Sequence, residues 1–276
     1  MPIITLTTDF GTKDHFVGAV KGAIYSELNT AVVVDISHEI DAFNIAETAY
    51  VLNNSYKSFP DGTIHIIGVD SEFNVENKHI ALLLDKHYFI CADNGVIAMI
   101  ASKIKPEEIV EITIHNAFSS SFPVLDIFVK VACHIARGGK LNLIGEPITD
   151  FKINVELSPI VNKEQTEIKG NVIYVDHYGN LITNITKALF NDISHNRPFE
   201  IKARNYTFTK IHNCYSDFVN FNIPKANRND DGEKLALFNS AGFLEIATYR
   251  SNLNSVGGAS SLLGLKYRDN IILNFY

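Results

Sequence analysis

Apolar and polar positions along the first half of the chain follow two alternating periods. Ile3–Thr8 is a short β-branched run that ends in the polar cluster Asp9-Phe10-Gly11-Thr12. Val17, Val20 and Ile24 then recur at helical spacing and predict a helix over Phe16–Leu28. Ala31–Ile36 is an apolar run of strand length, of the kind found in parallel strands covered on both faces. A second helix is predicted over Ile45–Tyr56 and a third strand over Thr63–Val69. His79–Leu84 and Tyr88–Cys91 read as a strand pair joined through Asp85-Lys86, and Phe128–Arg137 as a helix stopped by Gly138-Gly139. The β-α-β-α-β order predicts an α/β layer built on a mainly parallel sheet.

The texture changes after Pro147. Short strand-like runs separated by turn signals follow: Glu167–Val175, Leu181–Ile185, Phe199–Ala203, Tyr206–Ile211, Lys234–Phe238, Phe243–Ala247 and Ile271–Phe275. Such spacing predicts a small antiparallel barrel or sandwich, of which the barrel is the expectation carried forward. The expected organisation is an α/β domain over residues 1–157, a polar linker over 158–166 and an all-β C-terminal barrel domain over 167–276.

Charge and cysteine usage narrow the classes of function. Against 24 Lys+Arg stand 31 Asp+Glu, a net charge of −7 that lacks the electrostatic footprint of a general nucleic-acid binder. Cys91, Cys133 and Cys214 stand far apart, which argues against a disulfide framework or a structural zinc site. No apolar run approaches the ~20 residues of a membrane span. The N-terminus lacks the basic and apolar regions of a signal peptide, so the expected location is the cytoplasm.

Polar residues at the carboxyl ends of parallel strands are the first candidates for chemistry, because ligands bind in the crevice there. Three such positions stand out: Thr7 to Thr12, Asp35-Ile36-Ser37-His38, and Val69-Asp70-Ser71. A carboxylate such as Asp9 is suited to accept two ribose hydroxyls, to hold a metal, or to cap the next helix. A metal site from Asp9, Asp14, His15, Asp35 and His38 is one open reading. In the second half, Asp176-His177-Tyr178-Gly179-Asn180 reads either as a hairpin turn or as a ligand loop.

Taken in order, ITLTTDFGTKDHFVGAVKGAI, VDISHEIDAFNIAETAYVL, ICADNGV, VIYVDHYGNLITNI and ALFNSAGFLEIA carry a resemblance. The chain resembles the S-adenosylmethionine hydroxide adenosyltransferases, relatives of the fluorinase and chlorinase enzymes, from Ile3 to the LLGLKYRDNI stretch. That resemblance implies a homotrimer binding S-adenosylmethionine as substrate or ligand, with no cofactor. Each ligand would lie between the first domain of one subunit and the barrel of its neighbour. By the same resemblance Asp9 holds both ribose hydroxyls and Phe43 flanks the ribose and adenine. Asp176 meets the ligand's ammonium, Tyr178 and Asn180 meet the adenine, and Ser240 lies near the methionine end.

The implied reaction is in-line attack of water at the ribose 5′ carbon, with methionine leaving and adenosine formed. Its catalytic set is aspartate, arginine and histidine. Asp70 keeps the aspartate, whereas Asn77 stands at the arginine position and Pro123 at the histidine position. Asn77 supplies no positive charge and Pro123 no polar side-chain atom. Lys78 and His79 are the nearby stand-ins, of which an extended segment turns only one toward the site. Three readings follow: an adenosine-forming S-adenosylmethionine hydrolase, a catalytically silent nucleoside-binding relative, and a metal-dependent hydrolase.

Overall fold

Five consecutive buried residues, Ile4 to Thr8, make β1 (Ile3–Thr8) a central strand with both faces covered. The computed structural model describes residues 1–101, 104–114, 120–153 and 158–276. By contact, the chain divides into two units, Met1–Glu156 and Leu157–Tyr276. In the first, β1 lies between β2 (Val32–Ser37) and β3 (Ile64–Gly68), parallel to both. The sheet continues through β5 (His87–Ala92), β4 (His79–Leu84), β6 (Glu108–Ile112) and β7 (Gly145–Pro147).

This sheet is mixed rather than mainly parallel. β3 and β5 are parallel, but β4 runs antiparallel to both β5 and β6, and β7 antiparallel to β6. The turn chemistry explains the switch. Asp85 and Lys86 both take positive φ, 51° and 63°, which closes a two-residue hairpin and sends the chain straight back.

Side-chain alternation along the strands feeds two apolar layers. Ile4, Leu6, Ile64 and Ile66 pack with Val20 and Ile24 of α1 (Phe16–Glu27) and with Val131 of α4 (Val129–Ala136). Ile67, Ile80, Leu82 and Phe89 pack with Ala49 and Leu52 of α2 (Ile45–Asn53) and Val96 of α3 (Val96–Ile100). Each such buried aliphatic side chain contributes about 1.5–3 kcal/mol relative to exposure. α4 is preceded by a π-helical turn, Val124–Phe128, so the chain coils earlier than the sequence pattern predicts.

In the second unit the strands are β8 (Ile160–Val161), β9 (Glu167–Val175), β10 (Leu181–Thr186), β11 (Phe199–Ala203), β12 (Tyr206–Phe208), β13 (Ile211–His212), β14 (Lys234–Phe238), β15 (Phe243–Thr248) and β16 (Asn270–Phe275). They form a barrel-like sheet in the order β12-β11-β16-β9-β10-β15-β14-β13, with β8 on β9. Two corrections to the expected all-β domain follow. It carries the helices α5 (Lys187–Ser194) and α6 (Ala259–Leu263), and β13 pairs with β14 in parallel. The stretch 158–166 is not plain linker either, because β8 hydrogen-bonds to β9 as part of the second unit. Residue 157, the expected end of the first domain, lies outside the described residues. Among the described residues no helix is long and apolar enough to cross a membrane.

Candidate functional site

Strand register brings the first two candidates to one place. Thr8 of β1 pairs with Gly68 of β3, so Asp9 and Asp70 leave neighbouring parallel strands at the same end. The Asp9 carboxylate accepts one hydrogen bond, from the Phe43 backbone N–H to Oδ2 at 3.0 Å. No other group among the described residues bonds to it, which leaves most of its acceptor capacity for hydroxyls. Phe43 takes φ 63° and is 71% exposed, which suits it to lie against a planar ligand. Its position is set by the start of α2, where Asn44 accepts from the Glu47 N–H while Asn44 Nδ2 and the Asp41 N–H donate to Glu47.

Asp70 adopts a left-handed backbone, φ 44°, that a non-glycine residue holds only when its neighbours fix it. Asn77 and Asn94 supply the fixing. Asn77 Nδ2 donates to the Asp70 carbonyl at 3.0 Å and to the Glu72 carbonyl at 3.2 Å, and Asn94 Nδ2 donates to the Asp70 carbonyl at 3.3 Å. With 6% exposure, Asn77 is an internal staple of the 70–77 loop rather than a group turned to a ligand. The Asp70 carboxylate itself has no hydrogen bond among the described residues and is half-buried. Neither proposed stand-in replaces the absent cation. His79 is buried between Phe73 and Phe128 and donates from Nε2 to the Ser71 carbonyl at 2.9 Å. Lys78 pairs with Glu111 at 3.3 Å and lies over the Phe73 ring.

Pro123 is buried and opens the π-helical turn, so its position serves backbone geometry. The wall beside it is apolar: Phe10, Phe16 and Phe122 pack edge-on or tilted with centroids 5.3–5.8 Å apart. A Cβ at Gly68 would meet Val124 at 3.0 Å and Phe10 at 3.2 Å, so glycine lets this wall close over the end of β3.

In the second unit the Asp176 turn is self-contained. Oδ1 of Asp176 accepts the N–H of Tyr178 at 2.9 Å and of Asn180 at 2.8 Å, and Oδ2 accepts Asn180 Nδ2 at 3.1 Å. Asn180 is buried and its Oδ1 accepts the Thr248 N–H at 3.3 Å. Tyr178 is 60% exposed, presented by the turn that Asp176 holds. Ser240 is exposed in the Asn239–Gly242 turn, whose N–H groups are gathered by Asn239. The structure does not bring Ser240 beside Asn180, since β10 and β15 place them at opposite ends of their pairing. Between them lies Glu245 of β15, a residue the sequence reading passed over although it stands in the quoted GFLEIA segment. Burial pushes its carboxyl above the ordinary range, against hydrogen bonds from Tyr215, at 2.7 Å, and Asn239.

The metal set does not assemble. Among the described residues no three His, Cys, Asp or Glu side chains stand close enough to share an ion. His38 turns instead to Thr8 and Asp35.

Comparison with known proteins decides the family. The model for the SAM hydroxide adenosyltransferase N-terminal domain matches residues 4–145 and that for the C-terminal domain matches residues 170–272. The chain belongs to the SAM hydroxide adenosyltransferase family. It is 32% identical to the (R)-S-adenosyl-L-methionine hydrolase of Methanocaldococcus jannaschii, over 98% of this chain and 95% of that one. It is 21% identical to a fluorinase of Actinopolyspora mzabensis, over 91% and 92% of the two chains. Its fold matches the crystal structure of an uncharacterized conserved protein from Thermotoga maritima, with TM-score 0.82, 30% identity and 99% of each chain covered. In this chain Asp9 and Asp70 are the strand-end carboxylates left open, whereas Asn77 and Pro123 are built into the scaffold.

Proposed function

We propose that this protein hydrolyses S-adenosyl-L-methionine to adenosine and methionine, with water attacking the ribose 5′ carbon. The observation that carries the reading is the pair of open carboxylates, Asp9 and Asp70, at one end of adjacent strands β1 and β3. Asp9 would accept the two ribose hydroxyls, with Phe43 against the nucleoside. Asp70 would hold the attacking water. The leaving sulfonium is already cationic, so the site needs to align nucleophile, carbon and sulfur rather than protonate a leaving group. An apolar wall of Phe10, Phe122 and Val124 suits that task by excluding competing water. Asp176, Tyr178, Asn180 and Ser240 belong to the same proposal as the residues for the ammonium, the adenine and the methionine end. It also includes assembly as a homotrimer and turnover without an added cofactor or metal.

One observation favours a second reading, a nucleoside-binding protein without turnover. Asn77 and Pro123, at the positions of the arginine and histidine, supply no cation: Asn77 Nδ2 is committed to backbone carbonyls and Pro123 carries no polar side-chain atom. Incubation with S-adenosylmethionine in EDTA, followed by chromatography, separates the two. Adenosine and methionine in equal amounts above the enzyme-free control support hydrolysis, and tight adenosine binding without product supports the second reading. Asp70→Asn should lower kcat about tenfold or more and leave the adenosine Kd unchanged, because a water-holding group acts after the ligand is bound.

A further inference from the structure

His38 touches the Asp9 turn at two points, one on each side of Asp9. Its ring nitrogen Nδ1 lies 2.8 Å from the Thr8 hydroxyl, the residue before Asp9. Its carbonyl accepts the Gly11 N–H at 2.7 Å, two residues after Asp9. Behind the ring, Nε2 faces Asp35 Oδ1 at 3.1 Å, and Asp35 in turn accepts from Lys21 Nζ at 2.5 Å. Burial of Asp35 works against its charge, yet the hydrogen bond from Lys21 and the neighbouring His38 keep its carboxyl below the ordinary value.

The donors and acceptors run in one direction. The Asp35 carboxylate, 3.1 Å from Nε2 but out of line for a hydrogen bond, favours the proton on that nitrogen through its charge. That leaves Nδ1 to accept the Thr8 hydroxyl proton, and the Thr8 oxygen to accept the Phe10 N–H at 3.4 Å. Both Thr8 and His38 are buried, so water does not substitute for either partner. Nothing in this chain of contacts includes the Asp9 carboxylate. It holds the backbone on either side and leaves the carboxylate's acceptors open.

We propose that His38, oriented by Asp35 and Lys21, is a positioning residue that presets the Asp9 turn for a ribose diol. The inference rests on the reading of Asp9 as the ribose-binding carboxylate. A turn already fixed before binding loses less freedom when the ligand arrives.

The test pairs adenosine calorimetry with amide hydrogen exchange in the full chain. His38→Ala should weaken adenosine about tenfold, the value of one buried hydrogen bond of about 1.4 kcal/mol. His38→Asn, whose side-chain oxygen falls near the place of Nδ1, should recover most of that affinity. In the same His38→Ala protein the Gly11 and Phe43 amides should exchange faster while the Ile4–Leu6 amides keep their protection. Asp35→Ala, at a partly exposed position that leaves the core intact, should show two-site nitrogen shifts at His38 from a mixed tautomer and a smaller affinity loss. Unchanged exchange at Gly11 and Phe43 together with wild-type adenosine affinity in both variants overturns the proposal. Asp9→Ala keeps the two questions apart. Wild-type adenosine affinity in Asp9→Ala sinks the ribose reading and the inference with it. Loss of binding there, with normal binding in His38→Ala and Asp35→Ala, sinks the positioning role alone.

Discussion

The Asp9 turn and the Asp176 turn hold the same residue type in opposite roles. Among the described residues Asp9 takes a single hydrogen bond, whereas Asp176 takes three from its own turn. The first turn is held from outside, by His38 and the start of α2, so its carboxylate is left to a ligand. The second turn is held from inside, by its own carboxylate, so what it presents is Tyr178. Two motifs that look alike in sequence therefore separate by where the backbone N–H groups of each turn find their acceptors.

The largest effect that sharpens this contrast is at Asp9. If Asp9 holds the ribose as proposed, Asp9→Ala removes a charged acceptor of two hydroxyls, each hydrogen bond being worth about 1.5–3 kcal/mol. Adenosine affinity measured by calorimetry should fall by about two to four orders of magnitude, with the melting temperature of the protein unchanged. Asp176→Ala should invert that pattern. It leaves two turn N–H groups and the buried Asn180 amide without their acceptor, at a cost of about 1–3 kcal/mol in stability. Affinity for S-adenosylmethionine should then fall in step with the loss of the turn, and an intact melting temperature with lost affinity for S-adenosylmethionine would make Asp176 a ligand group in its own right.

Much of this is legible in the sequence alone. Strand-end polar clusters marked Asp9 and Asp70, and turn residues marked Asp176 to Asn180. What the sequence pattern hid was long-range: that Asn77 reaches back seven residues to the Asp70 carbonyl, and that His79 is roofed by Phe73 and Phe128. Neither contact leaves a periodic signal. The strand pair joined at Asp85-Lys86 is legible too, but not its weight in the sheet. β-α-β order implies parallel pairing, and the two-residue hairpin at Asp85-Lys86 outweighs it locally, turning half the sheet antiparallel. In the second unit, α5 leaves little trace because it is only eight residues long: its apolar face, Leu189, Phe190 and Ile193, spans barely more than one turn, and its start is fixed by a single Thr186 cap.

The two units also differ in how acid reaches them. In the first, His65 is fully buried, bonded through Nδ1 to Thr5 at 2.7 Å and through Nε2 to His87 at 3.2 Å. Burial, reinforced by the neighbouring His87, lowers its pKa to about 3. A histidine lowered on folding is neutral in the native state and takes up a proton when unfolded. Its contribution is fully present above the unfolded value near 6.5 and is lost as pH falls toward 3. Within that window the stability of the first unit should fall by up to about 1.4 kcal/mol per pH unit for this proton. His65→Gln, followed by urea unfolding at several pH values, should flatten the slope by that amount.

Glu245 sets the opposite trend in the second unit, and its effect is the smallest of the four. Its carboxyl is raised by burial, with the Asp176 charge adding to the shift and the Tyr215 hydroxyl opposing it. An acid raised on folding binds its proton more tightly in the native state. The penalty of charging it is absent at low pH and grows as pH rises from the unfolded value near 4.5 through the native one. Glu245→Gln removes that penalty and keeps an oxygen to accept from Tyr215. Unfolding of the second unit, followed by exchange of the β10 and β15 amides, should therefore become harder at pH 7 and independent of pH between 4 and 7. A variant less stable than wild type at pH 7 would instead show that the ionised carboxylate, and with it the Tyr215 contact, is what the folded unit requires.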